Sequence, residues 1–212
     1  MFIREAKAIA EDLMEKMRPY CERIEVGGSI RRGCQDVGDI EIVAVPKWVE
    51  GAPVNLLGDR ERINLLYNWG NKTEKQGGIL WIKPGTSEVI PWRIKPEGKY
   101  WRAQLPYGIK LDLFLTTLEQ WGIIFLIRTG SAEFSQGVMT YAKLRTPLHV
   151  KDGELRDQKE RALETFEEED AFGALWLDYV EPSDRTGFQA VKVKGQPVFP
   201  ANYGIRNMER LK

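Results

Sequence analysis

The sequence predicts an α+β protein: a mixed, largely antiparallel sheet with helices on one face, followed by a small second α/β subdomain. Three observations predict it. Residues 3 to 18 place Ile3, Ala6, Ile9, Ala10, Leu13 and Met17 at helical spacing, with charges between them. From Gly77 to Thr117, short runs rich in β-branched and aromatic residues alternate with Gly, Pro and Ser. After Thr117 the pattern returns to helices, with one hairpin signal at Lys151-Asp152-Gly153.

Taken in order, the first helix ends at Pro19, and a strand from Arg23 to Val26 leads into a Gly27-Gly28-Ser29 turn. A second strand, Ile40 to Val45, follows. Residues 46 to 58, with two prolines and scattered glycines, read as a loop excursion. Asp59 is placed to cap a helix from Arg60 to Trp69. Strands are then expected at Ile79 to Ile82, Val89 to Ile94, Tyr100 to Leu105 and Ile109 to Thr116, with Trp81, Trp92 and Trp101 packing the sheet. Helices are expected over Leu118 to Arg128 and Ala132 to Leu144, short strands near Leu148 and Leu155, and further helices over 158 to 169 and 171 to 179. The organisation is thus a first domain over 1–117, a subdomain over 118–185 and a basic extension over 186–212.

Composition narrows the function classes. The 212 residues are 42% hydrophobic, enough for a substantial core. The two cysteines, Cys21 and Cys34, lack zinc spacing and are expected to be reduced and structural. A single histidine, His149, eliminates His-rich zinc sites and leaves carboxylates to carry the chemistry. The formal net charge is +0, so the whole chain lacks the basic excess of a dedicated nucleic-acid binder. Acids crowd between Asp157 and Asp184, where they read as a solvated helix face. The N-terminus lacks the apolar stretch of a signal peptide, and the longest apolar run, Ile123 to Ile127, is far too short to span a bilayer. An intracellular, soluble monomer without membrane partners is expected.

The chemistry concentrates between Gly27 and Val43. Adjacent glycines let the backbone approach a ligand, and successive N–H groups in such a turn form an anion-binding nest. Ser29 adds a hydroxyl, and Arg31 and Arg32 add planar cations suited to phosphate. Asp39 and Glu41, two residues apart on a strand, point to one face. They repel unless a cation lies between them, and magnesium suits carboxylates plus phosphate oxygens. The combination reads as a nucleotidyl-transfer site.

Gly28-Ser29-x-Arg31-Arg32-Gly33 followed by Gly38-Asp39-Ile40-Glu41 resembles the signature of the DNA polymerase beta superfamily of nucleotidyltransferases. The doubled arginine and the Gly-Asp spacing are most similar to its family X DNA polymerases. Asp112, a lone acid within Ile109 to Leu115, matches the family's third carboxylate. Thr129-Gly130-Ser131 followed by Phe134 resembles its nucleotide-binding element, and Glu181-Pro182-x-Asp184-Arg185 its closing motif. The resemblance implies a nucleotidyltransferase palm and a thumb-like subdomain. It implies that Asp39 and Glu41 bridge two Mg2+ ions, with Mn2+ able to substitute. Asp112 holds only the ion beside an attacking 3′-hydroxyl. Gly28, Ser29 and Arg32 cradle the triphosphate of a nucleoside triphosphate, while Arg128, Thr129, Gly130, Ser131 and Ser135 contact the nucleotide. Arg31 falls to packing or a salt bridge.

The implied activity is a small family X-like DNA polymerase of repair or gap filling, acting on primer or primer-template DNA with modest, salt-dependent affinity. The alternative is nucleotidyl transfer to a small molecule, an RNA end or a protein hydroxyl. Three departures from the family stand out. Glu41 occupies a position that is usually Asp. Ile127-Arg128 stand where polymerase beta has an aromatic pair, which implies weaker rejection of ribonucleotides. Ser135 and Met139 replace polar or cationic groups near the base or template.

Overall fold

The computed structural model describes residues 1–53, 59–86, 88–106, 108–188 and 191–193. The chain divides into two compact units, Met1–Thr117 and Leu118–Lys212.

The first unit opens with helix α1, Ile3–Met17, whose Ala6, Ala10, Leu13 and Met17 are buried at spacings of three and four. Pro19 lies in the single 3-10 turn that ends it. Strand β1, Cys21–Val26, runs into a four-residue helix α2, Gly28–Arg31, so the predicted Gly-Gly-Ser turn is itself the start of a helical turn. Strand β2 spans Asp39–Pro46.

The expected loop excursion after β2 is instead a hairpin arm. Strands β3, Trp48–Pro53, and β4, Arg60–Asn64, pair antiparallel, with Val49 opposite Ile63. Helix α3 therefore begins later than predicted, at Leu65–Lys75, and Asn64 rather than Asp59 caps it. The Asn64 side chain accepts from the Tyr67 amide at 3.0 Å and donates to the Pro96 carbonyl at 2.9 Å. A buried side chain with two such bonds fixes the boundary more firmly than an exposed aspartate upstream.

Strands β5, Leu80–Ile82, β6, Tyr100–Gln104, and β7, Lys110–Leu115, complete a five-stranded sheet of order β1-β2-β7-β6-β5. The β2–β7 pair is parallel and the others antiparallel, which gives the mixed, largely antiparallel sheet that the sequence predicts. No strand forms over Val89 to Ile94. Only an isolated bridge joins Pro91 to Ile82, and proline has no N–H with which to extend a ladder. Trp92 is correspondingly exposed, whereas Trp81 and Trp101 are buried and meet edge to face.

One face of this sheet, with Ile40, Ile42, Leu111, Leu113, Trp101 and Ala103, packs into the core that α1 completes. Cys21 belongs to this core, and burial pushes its thiol up to about 12, as expected of a structural cysteine.

The second unit contains helices α4, Trp121–Thr129, and α5, Ala132–Arg145, then strands β8, Leu148–Lys151, and β9, Glu154–Asp157. The helix predicted over 158 to 169 does not form. The Asp157 carboxylate accepts from the Lys159 and Arg161 amides at 2.8 and 3.0 Å, and Glu160 takes a φ of 60°. That turn sends Ala162–Leu163 back as strand β10 against β9. Helix α6, Glu168–Ala174, follows, capped reciprocally by Glu167 and Asp170, and it is shorter than the stretch predicted to 179. Leu126, Phe134, Val138, Leu155, Phe172 and Leu177 centre this unit's own core. The basic extension predicted over 186–212 lies outside the described residues from 194 onwards.

Candidate active site

The face of the sheet turned away from the α1 core carries the acids. Strand alternation puts Asp39 and Glu41 on that face of β2, and the parallel register sets Glu41 opposite Asp112 of β7. Antiparallel pairing sets Arg102 of β6 opposite Asp112 on its other side, with Tyr100 opposite Phe114. Three carboxylates from distant segments, Asp39 and Glu41 on β2 and Asp112 on β7, thus become neighbours through register alone.

Their environments differ. The Asp39 side chain is 39% exposed and that of Asp112 only 9%. Both Asp112 oxygens are engaged. Tyr100 donates its hydroxyl to Oδ1 at 2.6 Å, and the Arg102 guanidinium lies 2.9 Å from Oδ1 and 3.2 Å from Oδ2. The same guanidinium is 3.8 Å from Asp39 Oδ2. Tyr100 is held by stacking on Phe114, with ring centroids 4.9 Å apart and planes 10° from parallel.

The Glu41 side chain, on the same face, leans towards the start of α2. Gly28 has a φ of +57°, and a Cβ placed there would lie 1.9 Å from Glu41 Oε2. Only a glycine lets the glutamate lie across that backbone. The Gly27 amide donates to the Glu41 carbonyl at 2.8 Å, which ties the turn to β2. Ser29 Oγ is buried and has no hydrogen-bond partner among the described residues. A buried hydroxyl without a partner is costly in a fold with nothing to bind there. Arg31 and Arg32 follow, both half-buried.

Among the described residues, no three His, Cys, Asp or Glu side chains meet closely enough as placed to hold a metal ion. The reason is visible in the rotamers: Glu41 lies on Gly28, while Asp112 lies on Arg102 and Tyr100. The donor set nonetheless fits a hard divalent cation. It offers three carboxylates on one face in matched register, and a cationic group already spans two of them.

The predicted Thr129-Gly130-Ser131 element is the joint between α4 and α5. Thr129 is fully buried, and a Cβ on Gly130 would lie 2.5 Å from the Phe134 ring. Ser131 Oγ accepts from the Phe134 amide at 3.1 Å and donates to the Thr186 carbonyl at 2.7 Å. The Ser131 amide donates to the Arg185 carbonyl at 2.9 Å, so this element and Glu181-Pro182-Ser183-Asp184-Arg185 are hydrogen-bonded to each other. Ser135 is buried and its hydroxyl donates to the Ile127 carbonyl at 2.7 Å, which places it in the helix packing. Arg128 is half-buried at the end of α4.

Three residues escape a reading of the sequence. Arg102 and Tyr100 join the site only through strand register, although a cation in the alternating run Tyr100-Trp101-Arg102-Ala103-Gln104 is a signal that could have found them. Glu168, counted among the solvated acids, is in fact buried against Arg185. A groove of about 670 Å3 in the second unit is lined by Lys143, His149 and Lys151 and by no acid.

Comparison with known proteins finds similarity over parts of the chain. Residues 124–186 match the DNA polymerase beta thumb family. The chain is 36% identical over 90 residues to a DNA nucleotidylexotransferase of Gallus gallus, covering 42% of this chain and 17% of the relative. To the DNA nucleotidylexotransferase of Homo sapiens it is 34% identical over 100 residues, covering 47% and 18%. The match to the Xenopus laevis protein of the same name is 36% over 90 residues, again 42% and 17%. The chain therefore spans less than a fifth of the length of the curated relatives it matches. The fold and the site define an α+β protein with three carboxylates on one face of a mixed sheet. Over these partial stretches the chain is similar to the polymerase beta thumb and to DNA nucleotidylexotransferases.

Proposed function

We infer that the protein transfers a nucleotidyl group from a (deoxy)nucleoside triphosphate to the 3′-hydroxyl of a DNA primer, as a small family X-like polymerase acting in repair or gap filling. The single observation that carries this reading is the register of β2 against β7, which sets Asp112 beside Glu41 and two residues from Asp39 on one open face. DNA nucleotidylexotransferase relatives and the thumb match support the choice of DNA as acceptor.

In this reading Asp39, Glu41 and Asp112 hold Mg2+, with Mn2+ able to substitute. The bound ions would supply charge neutralisation at the attacking and leaving oxygens. The residues of the chain do the rest. Ser29 Oγ, buried and unpartnered among the described residues, donates to a phosphate oxygen, and the Gly28 backbone comes close because it has no side chain. Arg32 offsets charge on the departing pyrophosphate. Asp112, nearly enclosed, is the acid placed beside the 3′-hydroxyl. Thr129, Gly130 and Ser131 fix the start of α5, and Arg128 stands beside them for a nucleotide; Ser135 acts through packing.

Lys143 and Lys151 offer positive charge to a phosphate backbone. Glu160, whose carboxyl the Lys151 ammonium holds below its usual range, offsets part of it. DNA affinity is accordingly modest and salt-dependent. The test is extension of a labelled primer alone, on a template, and with each nucleotide set. Incorporation onto DNA supports the reading, and transfer only to RNA ends or small hydroxyl acceptors replaces it.

A further inference from the structure

We propose that Arg102 is a resident counter-cation of the acid face, which holds Asp112 when no divalent ion is bound and competes with that ion for the same carboxylate. The inference rests on the nucleotidyl-transfer reading, since it takes Asp112 as a metal ligand. Arg102 approaches both oxygens of Asp112 at 2.9 and 3.2 Å and reaches to 3.8 Å from Asp39. Its charge thus lies across two of the three acids.

The neighbours of Arg102 show that this placement is built. Trp101 and Ala103, on either side in the strand, are buried in the core and leave Arg102 on the acid face. Tyr100, on the same face, adds a hydrogen bond to the same carboxylate at 2.6 Å, beside the one from Arg102 Nη2. A carboxylate offers about four lone-pair directions, so a metal taking Asp112 must displace at least part of this set. Arg102 is the member whose charge also repels the incoming ion. Because a guanidinium stays protonated at any physiological pH, the competition is set by metal concentration and not by titration. Arg102 is therefore a positioning residue that keeps the acids together without metal and raises the metal concentration needed to fill the site.

Binding of Mn2+ to the full chain, without nucleotide or DNA, tests this by calorimetry or by loss of the free-ion paramagnetic resonance signal. The wild type, Arg102→Gln, Arg102→Lys and Asp112→Asn are compared, with thermal midpoints recorded with and without Mn2+. Asp112→Asn is expected to lose most binding. Arg102→Gln is expected to bind Mn2+ about threefold to tenfold more tightly, as a charge near the ion is removed. Its metal-free midpoint should fall, and Mn2+ should raise it further than in the wild type. Arg102→Lys keeps the charge without the fork and should tighten binding about twofold; it serves if the glutamine variant fails to fold. A purely structural Arg102 would lower the midpoint without tightening Mn2+. Unchanged or weaker binding in the Arg102 variants, with the wild type binding and Asp112→Asn not, overturns this inference alone. No binding by the wild type, or full binding by Asp112→Asn, overturns the metal-site reading and this inference with it.

Discussion

Each unit holds an arginine against a carboxylate, and the two pairs live in opposite environments. In the second unit Arg185 is fully buried on Glu168, its Nε donates to the Val180 carbonyl at 2.8 Å, and the Phe172 and Tyr179 rings lie 5.2 Å from the guanidinium carbon. One cation meets one acid with its donors spoken for, and nothing about the pair invites a ligand. In the first unit Arg102 meets Asp112 on a half-open face that also carries Asp39, Glu41 and Lys110. Sealed and balanced, such a pair is a lock. Half-open and shared with a second acid, it can be displaced.

The largest expected effect is on the acids of that half-open face. Asp39→Ala, Glu41→Ala and Asp112→Ala should each lower nucleotidyl transfer by several orders of magnitude in single-turnover primer extension, while the fold survives. Near-normal incorporation by Asp112→Ala would erase the distinction between the two pairs.

The lock responds in stability. Arg185→Met leaves Glu168 buried without its partner and should cost about 3–5 kcal/mol in denaturant unfolding. Arg102→Gln, in a pair whose side chains are 19% and 9% exposed, should cost less, about 1–3 kcal/mol. Equal costs would mean that both pairs are structural.

Much of this contrast is legible in the sequence, and the remainder follows from pairing partners. Asp39, Glu41 and Asp112 stand out because each interrupts an apolar run, and α1 is evident from its periodicity. Residues 46 to 69 read poorly because the decisive contact, β3 on β4, is between strands and leaves no periodic trace. The helix expected over 158 to 169 yields to a local competitor, the Asp157 carboxylate bonding two backbone amides. Arg102 and Glu168 are ordinary charges in the sequence. Register and burial alone reveal one as part of the site and the other as half of the lock.

Arg32 sharpens the comparison from the ligand side. Arg32→Ala should raise the nucleotide KM and lower kcat, a loss of about 1.5–3 kcal/mol for a charge-assisted contact, with primer affinity little changed. A change confined to DNA binding would move the phosphate role elsewhere.

The smallest expected change is one methyl group. Gly28→Ala places a Cβ against Glu41 Oε2 in a backbone with φ of +57°, and should destabilise by about 1–2 kcal/mol. Because it displaces a carboxylate of the open face, it should also raise the Mg2+ concentration required for transfer. Unaltered metal dependence would show that the placement of Glu41 over Gly28 is incidental.

The central claim is that the open face works by taking up divalent cations, and a magnesium titration of primer extension by the wild type tests it most directly. The account predicts no extension in chelator, a saturable rise with added Mg2+, and recovery with Mn2+. Extension that persists in chelator at its full rate would contradict it.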